Sequence, residues 1–313
     1  MKKQVKDHFN AHAESWVENS YQGWGHVYPT ALHRADVLCG IFANTGQGLR
    51  IADLGCGAGN LAVRLATEGH DVTGVDQAEN MIGLAEARAA DAGAGVQGRV
   101  RFHHAELEDP GLPAASFDAA YSMGVIGYLE SDDPLFATAA KILKPGGLLC
   151  VSARNRLFNI ASPSYRTTRD AEAGATGRLI EEMSSYYRQV PEAETRDFLR
   201  RLAAVATELA EAPFEGLAPE RTERLSEEPV LEARQHTPKD LAGSAERFGF
   251  RLTGLHGVHP HLIDPNLNRL LAPGVFNALC SALEPMAHLP VSMAWSSAFI
   301  GVFEYAGGES ADA

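Results

Sequence analysis

The chain has 313 residues, 45% of them hydrophobic, and its 40 acidic against 27 basic side chains leave a formal charge of −13. That length allows one large domain with a sizeable insertion. The acidic balance argues against a free-standing nucleic-acid binder, which needs a basic face, and no apolar run of about 18 residues is available to span a membrane. The N-terminus has positive charge but no apolar stretch of a secretory signal. Cys39, Cys56, Cys150 and Cys280 lack motif spacing; they are read as reduced and structural, and the compartment as cytoplasmic.

In chain order, Phe9, Ala13, Trp16 and Val17 recur at helical spacing. A loop with Tyr21, Trp24, His26 and Tyr28 follows, then a helix from Thr30 to Phe42 that carries His33 and Arg34. Leu49, Ile51, Ala52 and Leu54 form a short apolar run, the signature of a buried strand. It ends in Gly55-Cys56-Gly57-Ala58-Gly59, after which Leu61, Ala62 and Leu65 mark a helix over 58–66. A strand, a glycine turn and a helix put backbone N–H groups at the carboxyl end of a sheet, where open α/β folds bind ligands. A second strand, Asp71 to Val75, ends in Asp76, 19 residues past Gly57 (76 − 57). A carboxylate there accepts both hydroxyls of a ribose, because it offers acceptors only.

Two cofactor classes compete for such a unit. A nicotinamide or flavin site wants G-x-G-x-x-G, but here the third glycine comes one residue early and Asn60 stands in its place. Asp53 lies two residues before the first glycine. The run Asp53-Leu54-Gly55-Cys56-Gly57-Ala58-Gly59 resembles the first motif of class I S-adenosylmethionine (SAM) dependent methyltransferases, in which the acid precedes a loop lying under the methionine end of the cofactor. The resemblance carries over to Asp53, Gly55, Gly57 and Gly59 in that loop and to Asp76 and Gln77 at the ribose. Met81, near the start of a helix over 78–92, lies along the adenosine. Strand three spans 99–104, and Glu106 precedes Phe117-Asp118 by 11 residues (117 − 106). In the resemblance Ala105, Glu106 and Leu107 face the adenine; most relatives carry Asp where Glu106 stands. Strand four, 119–123, ends at Met123, and the segment through Tyr128 resembles the floor between cofactor and acceptor. Lys144-Pro145-Gly146-Gly147 and the strand over 148–153 also match. The leader Phe9-Asn10-x-x-Ala13-x-x-Trp16 is similar to that of ubiquinone-pathway O-methyltransferases.

The pattern breaks between Asn155 and Gln235, where a short connection becomes about 80 residues (235 − 155). A long insertion at a strand's carboxyl edge reads as an α-helical lid, with an oligomerisation arm, and hence a homo-oligomer, as the alternative. Its helix over 192–212 is amphipathic. Arg154, Arg156, Arg166, Arg169 and Arg178 either capture an anionic group or pair with local acids. Thr237-Pro238-Lys239-Asp240 starts a helix, with Thr as N-cap, Pro at N1 and an acid at N3. Strand six is expected over 251–258 and the last strand over 297–305, with a second insertion between them that is helical over about 266–286.

The expected fold is α/β, a Rossmann-like seven-stranded sheet in the order 3-2-1-4-5-7-6 with the last strand antiparallel. The organisation is a leader over the cleft (1–48), a SAM-binding core (49–154 and 236–305), the lid (155–235) and a disordered tail (306–313). The expected function is methyl transfer from SAM to a small molecule, at oxygen. The alternatives are an N- or C-methyltransferase, or a SAM-binding protein that senses SAM or assists a rearrangement. No nucleic acid, membrane or metal partner is expected; His256, His259 and His261 sit at i, i+3 and i+5, without helix or hairpin metal spacing, and are read as packing a loop around Pro260. His236 ranks first as acceptor of the substrate's proton and His26 second. In the implied order, His256 and His259 end a strand three removed from strand four, roughly 14 Å at about 4.8 Å per strand.

Overall fold

The computed structural model describes residues 2–13, 28–187, 190–211, 231–264 and 273–307. Trp16, Val17, Tyr21, Trp24 and His26 lie outside these, as do 212–230, 265–272 and the expected tail from 308 onward.

Among the described residues, eight strands form one sheet in the order β3-β2-β1-β4-β5-β8-β7, with a two-residue β6 paired to β5. They are β1 (Arg50–Leu54), β2 (Asp71–Asp76), β3 (Val100–His104), β4 (Phe117–Met123), β5 (Leu143–Asn155), β6 (Gln235–His236), β7 (Phe250–Pro260) and β8 (Ser296–Tyr305). All pair in parallel except β8, which is antiparallel to both β5 and β7. Leaving aside the short β6, this is the expected order. The helices are α1 (Lys2–Ala11), α2 (Thr30–Thr45), α3 (Asn60–Thr67), α4 (Glu79–Asp91), α5 (Ala94–Gln97), α6 (Asp133–Ile142), α7 (Phe158–Ala161), α8 (Tyr165–Glu172), α9 (Thr176–Tyr186), α10 (Glu192–Glu211), α11 (Pro238–Glu246) and α12 (Pro273–Ser281).

The period of two along each strand splits the core into two layers. Ile51, Ala119, Tyr121 and Cys150 face one side, against Leu38 and Phe42 of α2 and Leu61 and Leu65 of α3. Ala52, Leu54, Ala120, Leu149 and Val151 face the other, against Phe136 of α6, Leu179 and Met183 of α9 and Leu241 of α11. The inserted helix α9 is therefore built into the main core, so the insertion is not detachable as a block. Its longest helix, α10, lies against α12 and the 3₁₀ turn at 284–286, which brings the two insertions together. Thr237 caps α11 as expected, its hydroxyl accepting from the Asp240 amide at 3.0 Å.

Two strand expectations need correction. β5 starts at Leu143, before Pro145-Gly146-Gly147, and the ladder jumps from Phe117↔Leu143 to Ala119↔Leu148. The tetrapeptide thus bulges out of a continuous strand, with Gly146 at φ 78°, and Lys144 reaches Asp118 at 2.5 Å. β7 runs on to Pro260, because Pro260 still pairs with Ser296. His259 takes φ 56°, uncommon for a non-glycine residue, and turns the end of this strand.

Candidate active site

The glycine loop leaves β1 and is held to β2 by its own amides. Gly55 and Cys56 both donate to the Val75 carbonyl, at 2.8 and 3.0 Å. The Gly57 amide donates to one carboxylate oxygen of Asp76 at 2.9 Å, and the Ala78 amide donates to the other at 2.9 Å. Burial pushes the Asp76 carboxyl up from the ordinary range while these amides pull it back. Each oxygen keeps a lone pair for a further donor. Two glycines are required sterically. A Cβ on Gly55 (φ 88°) would fall 2.3 Å from Val125 Cγ2, and one on Gly59 (φ 70°) would fall 2.8 Å from Ala85 Cβ.

These elements open into a cavity of about 860 Å³ at the carboxyl ends of the strands. Of the expected cofactor residues, Asp53, Gly55, Gly57, Asp76, Gln77, Met81, Ala105, Leu107 and Met123 line it. Gly59 instead caps α3, and Glu106 is exposed outside the lining, where its neighbour Glu108 stands. The leader closes one side: Val5 and Phe9 of α1 line the cavity, and Asn80 donates two hydrogen bonds to Asn10, from its amide to Oδ1 at 3.1 Å and from Nδ2 to the carbonyl at 3.0 Å. Phe9 meets Tyr128 edge-on at 5.5 Å.

Asp53 is 2% exposed, and its Oδ2 accepts from the Tyr121 hydroxyl at 2.7 Å. Burial pushes its carboxyl up to about 8, against the pull of that hydrogen bond. A buried carboxyl whose side-chain partner is neutral suits a cationic ligand, because a nearby positive charge favours ionisation. The cavity thus offers what the positively charged, ribose-bearing SAM needs: a carboxylate under the glycine loop, acceptors at the end of β2 and an apolar wall at Met81.

His236 is placed differently from the expectation. It does not line the cavity. It is 4% exposed, and its Nε2 lies 3.0 Å from Asp132 Oδ1. Arg234 donates to the same oxygen at 2.5 Å, and Ser244 donates to Oδ2 at 2.7 Å. These partners hold the Asp132 carboxyl well below the usual carboxylate range, against the opposing effect of its burial. The knot ties the segment after β4 to β6 and α11, which is why His236 turns inward. Asp132→Ala strips the anion from a buried imidazole and a half-buried guanidinium and is expected to cost about 2–3 kcal/mol, read as a lower midpoint in urea unfolding. The Asp132 contribution is present above the unfolded carboxylate pKa and is lost as pH falls below about 4.

Apart from Arg154, one of the five arginines read as able to capture an anionic group, the other side of the cavity is formed by residues that sequence reasoning did not assign to the site. Arg34, Ser152, Arg154, Phe158, Gln235, His259 and His261 all line it. β7 is three strands from β4, as expected, and His256 stays out of the cavity lining. For His259 the strand distance does not decide: β7 runs on to Pro260, and its turned end brings His259 and His261 into the lining. The remaining insertion arginines serve the fold: Arg156 pairs with Asp170 at 2.7 Å, Arg169 with Glu232 at 2.8 Å and Arg178 with Asp240 at 2.8 Å, while Arg166 lies 3.6 Å from Glu232. Among the described residues, no group of three or more His, Cys, Asp or Glu is placed to hold a metal ion, and no helix is long and apolar enough to cross a membrane.

The sheet order, the acid-led glycine loop and Asp76 are those expected of a class I SAM-dependent methyltransferase, and residues 51–147 match the family model described as a methyltransferase domain. The chain is 32% identical over 165 residues to a ubiquinone biosynthesis O-methyltransferase of Sinorhizobium fredii, covering 50% of this chain and 65% of that protein. It is 36% identical over 116 residues to its counterpart in Sinorhizobium medicae, covering 37% and 45%. The match thus spans about half to two thirds of those relatives' lengths. Among solved structures it is similar to the [4+2]-cyclase SpnF, with a TM-score of 0.56, 17% identity and coverage of 98% and 97%. It is also similar to the magnesium protoporphyrin IX methyltransferase of Synechocystis, with a TM-score of 0.54, 16% identity and coverage of 97% and 98%. At such identities these two likenesses show the fold.

Proposed function

We propose that the protein binds SAM and transfers its methyl group to an oxygen atom of a small-molecule acceptor. The observation that carries this reading is a single cavity that holds the Asp53–glycine loop–Asp76 cradle at one side and a separate polar wall at the other. A drug-sized ligand occupies a pocket from about 300 Å³ upward, so about 860 Å³ leaves room for cofactor and acceptor together. The Sinorhizobium relatives, named for O-methylation in ubiquinone biosynthesis, support oxygen as the attacked atom.

SAM, when bound, supplies a methyl group already activated by its sulfonium. The acceptor oxygen forms a bond to that carbon, the S–CH₃ bond breaks with its electron pair going to sulfur, and the acceptor's proton is released. The protein's part is alignment. Asp76 and Gln77 hold the ribose end, Asp53 lies under the methionine end, Met81 lies along the adenosine with Ala105 and Leu107 at its edge, and Met123 at the end of β4 separates the two sides. Holding the reactants in line converts a bimolecular step into a unimolecular one. The helices after β5 cover the acceptor side through Phe158 and Asn159 of α7.

Incubation with methyl-labelled SAM and the small-molecule fraction of a cell extract is expected to give a labelled low-mass product. SAM binding by calorimetry with no labelled product would favour a protein that uses the cofactor without methylating. The neighbour named as a [4+2]-cyclase makes that control necessary, because the fold alone does not dictate transfer.

A further inference from the structure

The acceptor side of the cavity has a chemistry of its own. Arg34 of α2 lies over the strand ends, with Nη1 3.5 Å from Ser152 Oγ. Arg154 stands two residues beyond Ser152 on the same face of β5 and also lines the cavity. Both charges act on the His259 ring, which burial first and then His261, His33, Arg154 and Arg34 hold well below its ordinary pKa. His259 stacks on Tyr28 with centroids 4.8 Å apart and lies 4.3 Å from the His261 ring. His261 in turn stacks on Phe158 at 4.8 Å.

His261 is the telling residue. It is 9% exposed, it lines the cavity, and neither of its ring nitrogens has a hydrogen-bond partner. Burial pushes its pKa down to about 4, so at neutral pH the ring offers one N–H donor and one acceptor. A buried polar ring left without partners is costly and is explained by a ligand that satisfies it. The acids that line the cavity, Asp53, Asp76, Glu108 and Glu130, come from β1, β2 and the loops after β3 and β4; outside the lining, the Asp264 carboxylate acts on the His261 ring against the larger effect of burial. Among the described residues no carboxylate forms an ion pair with Arg154, in contrast to the insertion arginines beyond it.

We propose that this wall is an anion-recognising acceptor site: the acceptor carries a carboxylate or phosphate group that Arg154 and Arg34 hold and to which His261 donates a hydrogen bond. Arginine suits this role because its planar fork matches both groups. The proposal deepens the methyl-transfer reading and rests on it for the word acceptor, but its test needs no turnover. Protein saturated with S-adenosylhomocysteine is titrated by calorimetry with benzoate, chosen because Phe158 offers a stacking face, with inorganic phosphate, and with uncharged benzamide. Benzoate or phosphate is expected to bind at millimolar concentration, and whichever binds identifies the anion class. Benzamide is expected to bind at least about tenfold more weakly than benzoate. Arg154→Gln and His261→Phe should each weaken the anion about tenfold or more, as loss of a charged hydrogen bond does, while S-adenosylhomocysteine affinity is unchanged and reports an intact fold.

The proposal is overturned if neither anion binds the wild type, if benzamide matches benzoate, if both variants bind the anion as well as the wild type does, or if the anion competes with S-adenosylhomocysteine. The last outcome would assign the arginines to the cofactor's own carboxylate. Failure of label transfer would overturn the methylation reading and leave this titration standing.

Discussion

Asp76→Ala is expected to weaken SAM binding about a hundredfold. The carboxylate has two tasks in the structure. Its oxygens anchor the glycine loop through the Gly57 amide and the start of α4 through the Ala78 amide, and their remaining lone pairs are where a ribose would bind. Each hydrogen bond to a charged group contributes about 1.5–3 kcal/mol, so losing two acceptors amounts to two powers of ten or more at about 1.36 kcal/mol per decade. Isothermal calorimetry with S-adenosylhomocysteine avoids turnover and reads the effect directly. An unchanged affinity would remove Asp76 from the cofactor site. Glu106→Ala is the comparison: that side chain is exposed and outside the cavity lining, so its effect should be the smaller.

Asp53→Asn should make the ligand-free protein more stable at pH 8 and weaken its hold on SAM. The carboxyl sits at about 8 in the fold against 3.8 for a free carboxyl. Between those values the folded state holds a proton that the unfolded state has released. Stability from this site is therefore greatest below about pH 4 and falls by up to about 1.36 kcal/mol per pH unit until the folded group also ionises. Asparagine removes that loss while keeping an oxygen for the Tyr121 hydroxyl. The expected gain at pH 8 is a few kcal/mol, seen as a higher urea midpoint, and it should vanish near pH 4. The same change deletes the negative charge offered to a cationic ligand, so SAM affinity should fall at least about tenfold. A variant that is less stable at pH 8, or that binds SAM as tightly as the wild type, would contradict this account of Asp53.

The glycine-loop half of the cavity was legible because its requirements are local. A strand that must turn sharply under a ligand needs glycines at Gly55 and Gly59, and the neighbouring β2 must end in an acceptor. These demands write themselves into a stretch of about thirty residues. The opposite half, Arg154 apart, was not legible because no local stretch contains it. Arg34 comes from α2, Arg154 from the end of β5, Phe158 from the insertion and His261 from the end of β7. His236 ranked first because the chain from strand five passes the cleft before reaching it, yet the structure gives its ring to Asp132.

By itself, then, the amino-acid sequence determined the α/β class, the strand order implied by its motifs and most of the residues that line the glycine-loop side of the cavity, because period, glycine spacing and capping act between near neighbours. Only the tertiary structure decided which histidines reach the cleft. That choice rests on the antiparallel pairing of β8 between β5 and β7, on the extension of β7 to Pro260 and on the left-handed turn at His259. Register between distant strands is set by the packing of whole faces against the two helical layers, and such packing leaves no mark at the residues whose positions it determines.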